Sequence, residues 1–370
     1  MYTLTLFPLA ALAVLSMSGR GLSRGVFLVI CFGVVSSFSV IYGFRDSASG
    51  TDSAVYAAAF ELAQFHRWEP GYVVWLAFLR SISASYEVYF SLETILKLLL
   101  LAWASYNLSK VVGYLLGALF LVSLTYSFTL FDLYTNGLRQ GFAMTLAVVS
   151  LALLLRGRFK SSLVFAALSP FFHLSYVLFF VIYLVGVSAL ARSRVFFDGA
   201  IVGSAASVAL LALGVSLVNT LEPAVLGAGR LLGAEGKVNH YMSATRGSFS
   251  ELNVVGRLSI IFVLSMSAAA LLYVKGRVGL RGGSVLVMVA LLIIAYSALA
   301  FSAYSYRVLY IVTAFLPFVL VIVMSSSYTS TTGALVVRLM PSVWLLVVSI
   351  NYIYFVVVRG GLREFEYLIG

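Results

Sequence analysis

The chain has 370 residues, 62% of them hydrophobic and 10% charged, and its 24 Lys and Arg outnumber 13 Asp and Glu for a net charge of +11. A soluble fold of this length needs far more charge to cover its surface, so soluble enzymes and peripheral binders are excluded. The single cysteine, Cys31, falls inside an apolar run, which leaves no disulfide frame and no Cys-ligated zinc site.

Apolar runs of about 16 to 22 residues recur along the whole chain, the length a helix needs to cross a hydrocarbon core roughly 30 Å thick. Strands of an outer-membrane barrel are shorter and alternate in polarity, so a barrel is excluded too. The first run, residues 2–18, reads as a span and not as a secretory signal, because no basic residue precedes it and Arg20 and Arg24 follow it. By the positive-inside rule those arginines are cytoplasmic, and residues 26–44 return to the outside. Residues 45–86 are too polar to span at once and predict an external loop with two juxtamembrane helices, over 53–65 and 70–84. Were the second a full span, the cluster Arg156, Arg158 and Lys160 would lie outside. The remaining spans are 87–107, 112–131, 137–155, a short pair 161–172 and 174–190, 196–221, 255–274, 284–303, 308–326 and 339–357. The expectation is an all-α polytopic membrane protein of about twelve crossings, one transmembrane domain over 1–370 with a second external loop at 222–254.

Under this topology the basic clusters are cytoplasmic, while nearly all acids and every histidine lie at the outer face. The charge excess thus follows the rule for membrane proteins and predicts lipid, not nucleic acid, as a partner. The cytoplasmic loops are too short for a nucleotide-binding module, and no GxxxxGK[ST] phosphate loop occurs. Any chemistry belongs to the outer face. There the first loop carries Asp46, Asp52, Tyr56, Glu61, His66, Arg67 and Glu69, and the second Arg230, Glu235, Lys237, His240, Tyr241, Arg246 and Glu251. Such mixtures suit sugar hydroxyls and ring faces. Charges inside or beside the spans are more telling, since each costs several kcal/mol at bilayer depth unless it meets a partner or a wet cavity. Arg139 and Gln140 open a helix, His173 divides the short pair, and Arg307 lies between two apolar runs; snorkelling arginines and an interhelical histidine are the bland alternatives. Glu93 and Lys97, four apart on one helix, are expected to neutralise each other.

Gly50-Thr51-Asp52 with Tyr56, then Glu69-Pro70-Gly71-Tyr72, Asn136-Gly137-Leu138-Arg139-Gln140 with a later basic cluster, Phe172-His173-Leu174-Ser175, and Tyr306-Arg307 follow one another in the order of the EpsG family. The chain resembles that family over residues 1–325, and the family is similar to the Wzy-type polymerases of O-antigen, capsule and exopolysaccharide. Ser53 departs from the pattern, since an aromatic is frequent after the aspartate. The resemblance implies a bacterial inner-membrane glycosyltransferase, similar to the multi-span GT-C-like enzymes, with its active site facing the periplasm. It would transfer a glycan from one polyprenyl pyrophosphate onto the sugar of another lipid-linked repeat unit, with a separate protein regulating chain length.

Displacing pyrophosphate from an anomeric carbon needs cations around the leaving group and a base near the attacking hydroxyl. Arginine suits the first role through its planar, permanently charged fork. Arg139 leads the candidates, followed by Arg307, Arg257 and Arg246, with Gln140, Tyr56, His240 and Tyr241 for sugar and pyrophosphate contacts. Asp52 or His173, then Glu69, are the candidate bases. No DxD-like pair occurs in the first loop, which favours an arginine-held leaving group over a metal-bridged one; a metal held by Asp46, Asp52 and Glu69, should they converge, is the alternative, and no cofactor is expected. An O-antigen ligase, a membrane acyltransferase using His173, and a lipid or polysaccharide transporter are the alternatives.

Overall fold

The computed structural model describes residues 21–48, 52–66, 68–215, 227, 254–274, 279–302 and 305–327. Every regular element in them is helical. In hydrocarbon each backbone group needs an internal partner, and a helix supplies all of them within one segment. Two compact units divide the chain: the first runs to Phe180 and resumes at Met324, and the second covers Val181–Val323.

In the first unit, α1 (Arg24–Gly43) starts where the Ser23 hydroxyl accepts the Val26 N–H. Two short helices follow, α2 (Ser53–Glu61) and α3 (Pro70–Ile82), the latter opened by proline at its first position, where the missing N–H costs nothing. The long α4 (Tyr86–Val112) has Glu87 in its first turn and Lys110 in its last, matching the helix dipole at both ends. It stops at Gly113, whose φ of 92° suits glycine alone, and α5 (Tyr114–Thr125) folds straight back against it. There a Cβ on Gly117 would lie 3.1 Å from the Ser105 carbonyl, which instead leaves room for the Ser105 hydroxyl to donate to the Gly117 carbonyl at 2.7 Å. Small residues and hydroxyls of this kind let membrane helices approach closely.

The chain then bends by 55° into α6 (Phe128–Thr135), where the Ser127 hydroxyl caps the Leu130 N–H. Next comes α7 (Leu138–Leu155), which is buried along almost its whole length and forms the axis of the unit. It packs on α4 on one side and on α8 (Phe159–Phe172) on the other, where the Ser162 hydroxyl donates to the Ser150 carbonyl. Pro170 cannot propagate the α8 ladder, and His173 is extended (φ −158°, ψ 125°), so the helix ends before α9 (Tyr176–Val187) begins.

In the second unit, the short α10 (Ala189–Arg192) leads into α11 (Arg194–Ala212), which packs against α12 (Val254–Val274) and α13 (Leu280–Leu299). The Ser207 and Ser297 hydroxyls meet at 3.4 Å between α11 and α13. The unit ends along α14 (Ser305–Ser327).

Seven described helices are long and apolar enough to cross a membrane, or eight if α5 and α6 are one bent span. The chain is therefore polytopic. Large apolar side chains such as Val29, Phe32 and Val74 point outward from the units, as lipid contact requires. About twelve crossings were expected, a short pair over 161–172 and 174–190 among them; α8 and α9 stand there with 14 and 12 residues, rising about 21 and 18 Å, shorter than the seven long helices. The expected spans 2–18 and 339–357 lie outside the described residues. Of the two short helices expected over 53–65 and 70–84, the structure has α2 (Ser53–Glu61) and α3 (Pro70–Ile82), both too short to cross.

Candidate functional site

The polar loop after α1 is held down from its first residue. Arg45 is fully buried: its Nη1 donates to the Tyr42 carbonyl, its Nε to the Ser53 hydroxyl at 3.3 Å, and its guanidinium lies 4.1 Å from the centre of the Phe90 ring. Burial lowers its pKa to about 10, while Tyr89 and Glu93 pull the other way. The Ser53 hydroxyl in turn donates to the Thr135 carbonyl at 2.8 Å, tying the start of α2 to the end of α6. Arg80 closes the hairpin from the far end of α3 by donating to the Phe60 carbonyl. Beneath the loop, Tyr56, Phe60, Tyr72, Leu76, Tyr89 and Leu138 form one apolar cluster.

Arg139, the second residue of α7, reaches up into this loop. Its Nη1 pairs with Glu69 Oε2 at 2.5 Å, and its Nε donates to the Tyr56 hydroxyl at 3.3 Å. The guanidinium carbon lies 5.2 Å from the Trp68 ring centre and 6.0 Å from that of Tyr56, so the cation has aromatic walls as well as an anion. Burial raises the Tyr56 phenol above its ordinary pKa, and the Arg139 charge offsets part of that rise. The other Glu69 oxygen, Oε1, accepts the Leu174 N–H at 3.4 Å, just ahead of α9. Glu69 itself stands at the N-cap of α3 without capping it.

The break between α8 and α9 completes the same end of the unit. Gly71 packs directly on Phe171, Phe172 stacks on Phe142 of α7 at 4.3 Å, and His173 follows, buried. The His173 Nδ1 accepts the Ser175 N–H at 3.3 Å and lies 2.7 Å from the Ser175 hydroxyl. A ring whose Nδ1 accepts a backbone N–H carries its proton on Nε2 when neutral, so Nε2 is a donor here. Asp52, exposed and immediately before α2, does not cap that helix with its side chain. Among the described residues no three His, Cys, Asp or Glu side chains come together as a metal site.

Four of the motifs singled out in the sequence thus meet at one end of the first unit: the aspartate and tyrosine of the first loop, Glu69-Pro70-Gly71, the opening of α7, and the α8–α9 break. The EpsG family pattern matches residues 28–367, nearly the whole chain. The chain belongs to the EpsG family. No curated protein and no solved structure matches it. EpsG proteins are associated with polysaccharide-polymerase-like activity in membranes, which agrees with the helices described above.

The remaining sequence candidates of this EpsG protein are distributed as follows. Gln140 is buried beside Arg139 in α7. Arg257 and Arg307 belong to the second unit, Arg257 exposed on α12 and Arg307 donating from Nε to the Tyr306 hydroxyl at 3.0 Å. His240, Tyr241 and Arg246 lie outside the described residues. Glu93 and Lys97 pair at 2.9 Å, as their spacing predicted, and the Tyr72 hydroxyl donates to the second Glu93 oxygen at 2.8 Å. Sequence reading did not single out Arg45 or Trp68, and took Ser175 only as the last residue of Phe172-His173-Leu174-Ser175. Arg45 had one signal, a charge directly after an apolar run; Trp68 had only its adjacency to Glu69.

Proposed function

We propose that this protein is a polysaccharide polymerase of the bacterial inner membrane, acting at the periplasmic face on polyprenyl-pyrophosphate-linked oligosaccharides. The observation that carries this reading is Arg139, set at the start of the axial helix between Glu69, Tyr56 and Trp68. Its fork, the α7 N-terminus behind it and the Nε2–H of His173 are donors suited to a pyrophosphate leaving group. The reaction breaks the bond between the anomeric carbon and pyrophosphate, and the acceptor sugar's hydroxyl oxygen forms the new glycosidic bond. The hydroxyl proton passes to the Asp52 carboxylate, and polyprenyl pyrophosphate leaves with the bonding electrons. Asp52 is a better base than His173, because the His173 Nδ1 lone pair already accepts hydrogen. The juxtamembrane α2 and α3, between two long spans, support a GT-C-like arrangement. Chain length would be set by a separate protein.

The test is to incubate purified protein with lipid-linked repeat units and separate the glycans by length. The expected product is a ladder of longer lipid-linked glycans, with Asp52→Asn losing about 100-fold in rate or more while still binding donor. Transfer only to a different acceptor would make the protein a ligase, and unchanged chains that cross the bilayer would make it a transporter.

A further inference from the structure

The Arg139–Glu69 pair differs from the other ion pair among the described residues of the first unit. Lys97 and Glu93 are fully enclosed, with side-chain exposures of 0% and 1%, whereas Arg139 and Glu69 keep 23% and 14%. The first pair is sealed; the second is partly exposed. The Glu69 carboxylate is held as an anionic ligand would be, one oxygen on the Arg139 guanidinium and the other on the Leu174 backbone N–H. Both donors belong to elements other than that of Glu69, and both converge on it from the opening of α7 and the approach to α9. Two residues on, the backbone packs closely on α8, where a Cβ at Gly71 would lie 2.9 Å from the Phe171 carbonyl oxygen. The carboxylate itself sits on a side chain with rotatable bonds and can leave by rotation alone.

We infer that Glu69 is a resident stand-in for phosphate: its carboxylate fills the anion subsite made by Arg139 and the Leu174 N–H, and the pyrophosphate of the donor displaces it. This rests on the reading of Arg139 as the leaving-group site and assigns Glu69 a role other than base. The physical logic is electrostatic. An unpaired guanidinium at the end of a span is costly, and Glu69 neutralises it between turnovers. A pyrophosphate brings more charge and more acceptor oxygens than one carboxylate, so it wins the competition. Glu69 therefore weakens donor binding in exchange for a site that is always assembled.

Binding of inorganic pyrophosphate and of farnesyl pyrophosphate to the purified full-length protein, by titration calorimetry, tests this without any need for turnover. Removing the competing charge with Glu69→Gln is expected to tighten both ligands about tenfold. Glu69→Asp, which keeps the charge and shortens its reach, falls between wild type and Glu69→Gln. Arg139→Gln weakens binding in either background. If Glu69→Gln binds no tighter than wild type while Arg139→Gln still weakens binding, Glu69 is a strut; the inference fails and the leaving-group reading stands. If Arg139→Gln binds as well as wild type, pyrophosphate is held elsewhere and both fail. Tightening for inorganic pyrophosphate but not for the farnesyl compound would also overturn the inference, because the lipid-linked donor would then not reach the subsite.

Discussion

Arg139 is expensive to place where it is. A guanidinium at the end of a membrane helix stays charged, and here its cost is offset by one carboxylate, one phenol and two aromatic faces. The contacts use different parts of the fork: Nη1 meets Glu69, Nε meets Tyr56, and the central carbon lies 5.2 Å from the Trp68 ring centre. A lysine ammonium supplies the charge from one point and can reproduce only one of these contacts. Arg139→Ala is therefore expected to abolish polymer formation, and Arg139→Lys to recover little, remaining about 100-fold below wild type in rate. Both variants should accumulate in the membrane, as an immunoblot of the membrane fraction would show. Polymer of normal length and rate from the lysine variant would reduce Arg139 to an interface anchor. Arg139 stood out in the sequence by its position at the head of an apolar run. Its contacts did not: periodicity carries no information about residues 70 positions apart, so nothing in the sequence joined Glu69, a candidate base, to Arg139 and Leu174.

The element on which the site depends most is α3, a helix of 13 residues that cannot span and is held by its neighbours. Its first turn presses on the end of α8 at Gly71, where a Cβ would lie 2.9 Å from both the Cβ and the carbonyl oxygen of Phe171. One of those atoms is backbone and cannot turn aside. Gly71→Ala is thus expected to force the two helices apart, to cost about 1–3 kcal/mol, and to lower activity by disturbing the α8–α9 break that carries His173 and Leu174. Gly25→Ala in α1, where a new Cβ meets nothing within 4 Å, is the matched control. Thermal unfolding in detergent would separate them, and equal melting temperatures would show that the Gly71 contact is not tight. Elements like α3 were legible because proline after a polar stretch marks a helix start, and Pro170 and His173 marked the α8–α9 break in the same way. The bend between α5 and α6 was not legible: the run from 112 to 131 carries no charge, and its hydroxyl residues Ser123, Thr125, Ser127 and Thr129 are of a kind that spans tolerate. Hydropathy sees a single span there, whereas the Ser127 hydroxyl starts a new helix.

Across the first unit as a whole, charge is sorted by end. Arg24 at the start of α1 and Lys110 at the end of α4 both face the Tyr106 ring, and Arg156 at the end of α7 donates to Asn107 at 2.5 Å. At the opposite end the Ser91 hydroxyl meets the Gly43 carbonyl, with Arg45, Glu69, Arg139 and His173 around them. The long α4, about 40 Å at 1.5 Å per residue, separates the two ends. Basic residues flanking spans stay on the cytoplasmic side, so the Arg24, Lys110 and Arg156 end should be cytoplasmic and the candidate site should face out. Single cysteines answer this directly in a Cys31→Ser background, since the native thiol is buried and its removal leaves no other. Leu62 and Arg158 are both exposed, and they lie beyond opposite ends of the unit. An impermeant thiol reagent added to intact cells is expected to label Leu62→Cys, and to label Arg158→Cys only after the membrane is opened. The reverse pattern would place the Arg139 site in the cytoplasm, where a donor exported to the periplasm could not reach it, and the polymerase reading would fall with the orientation.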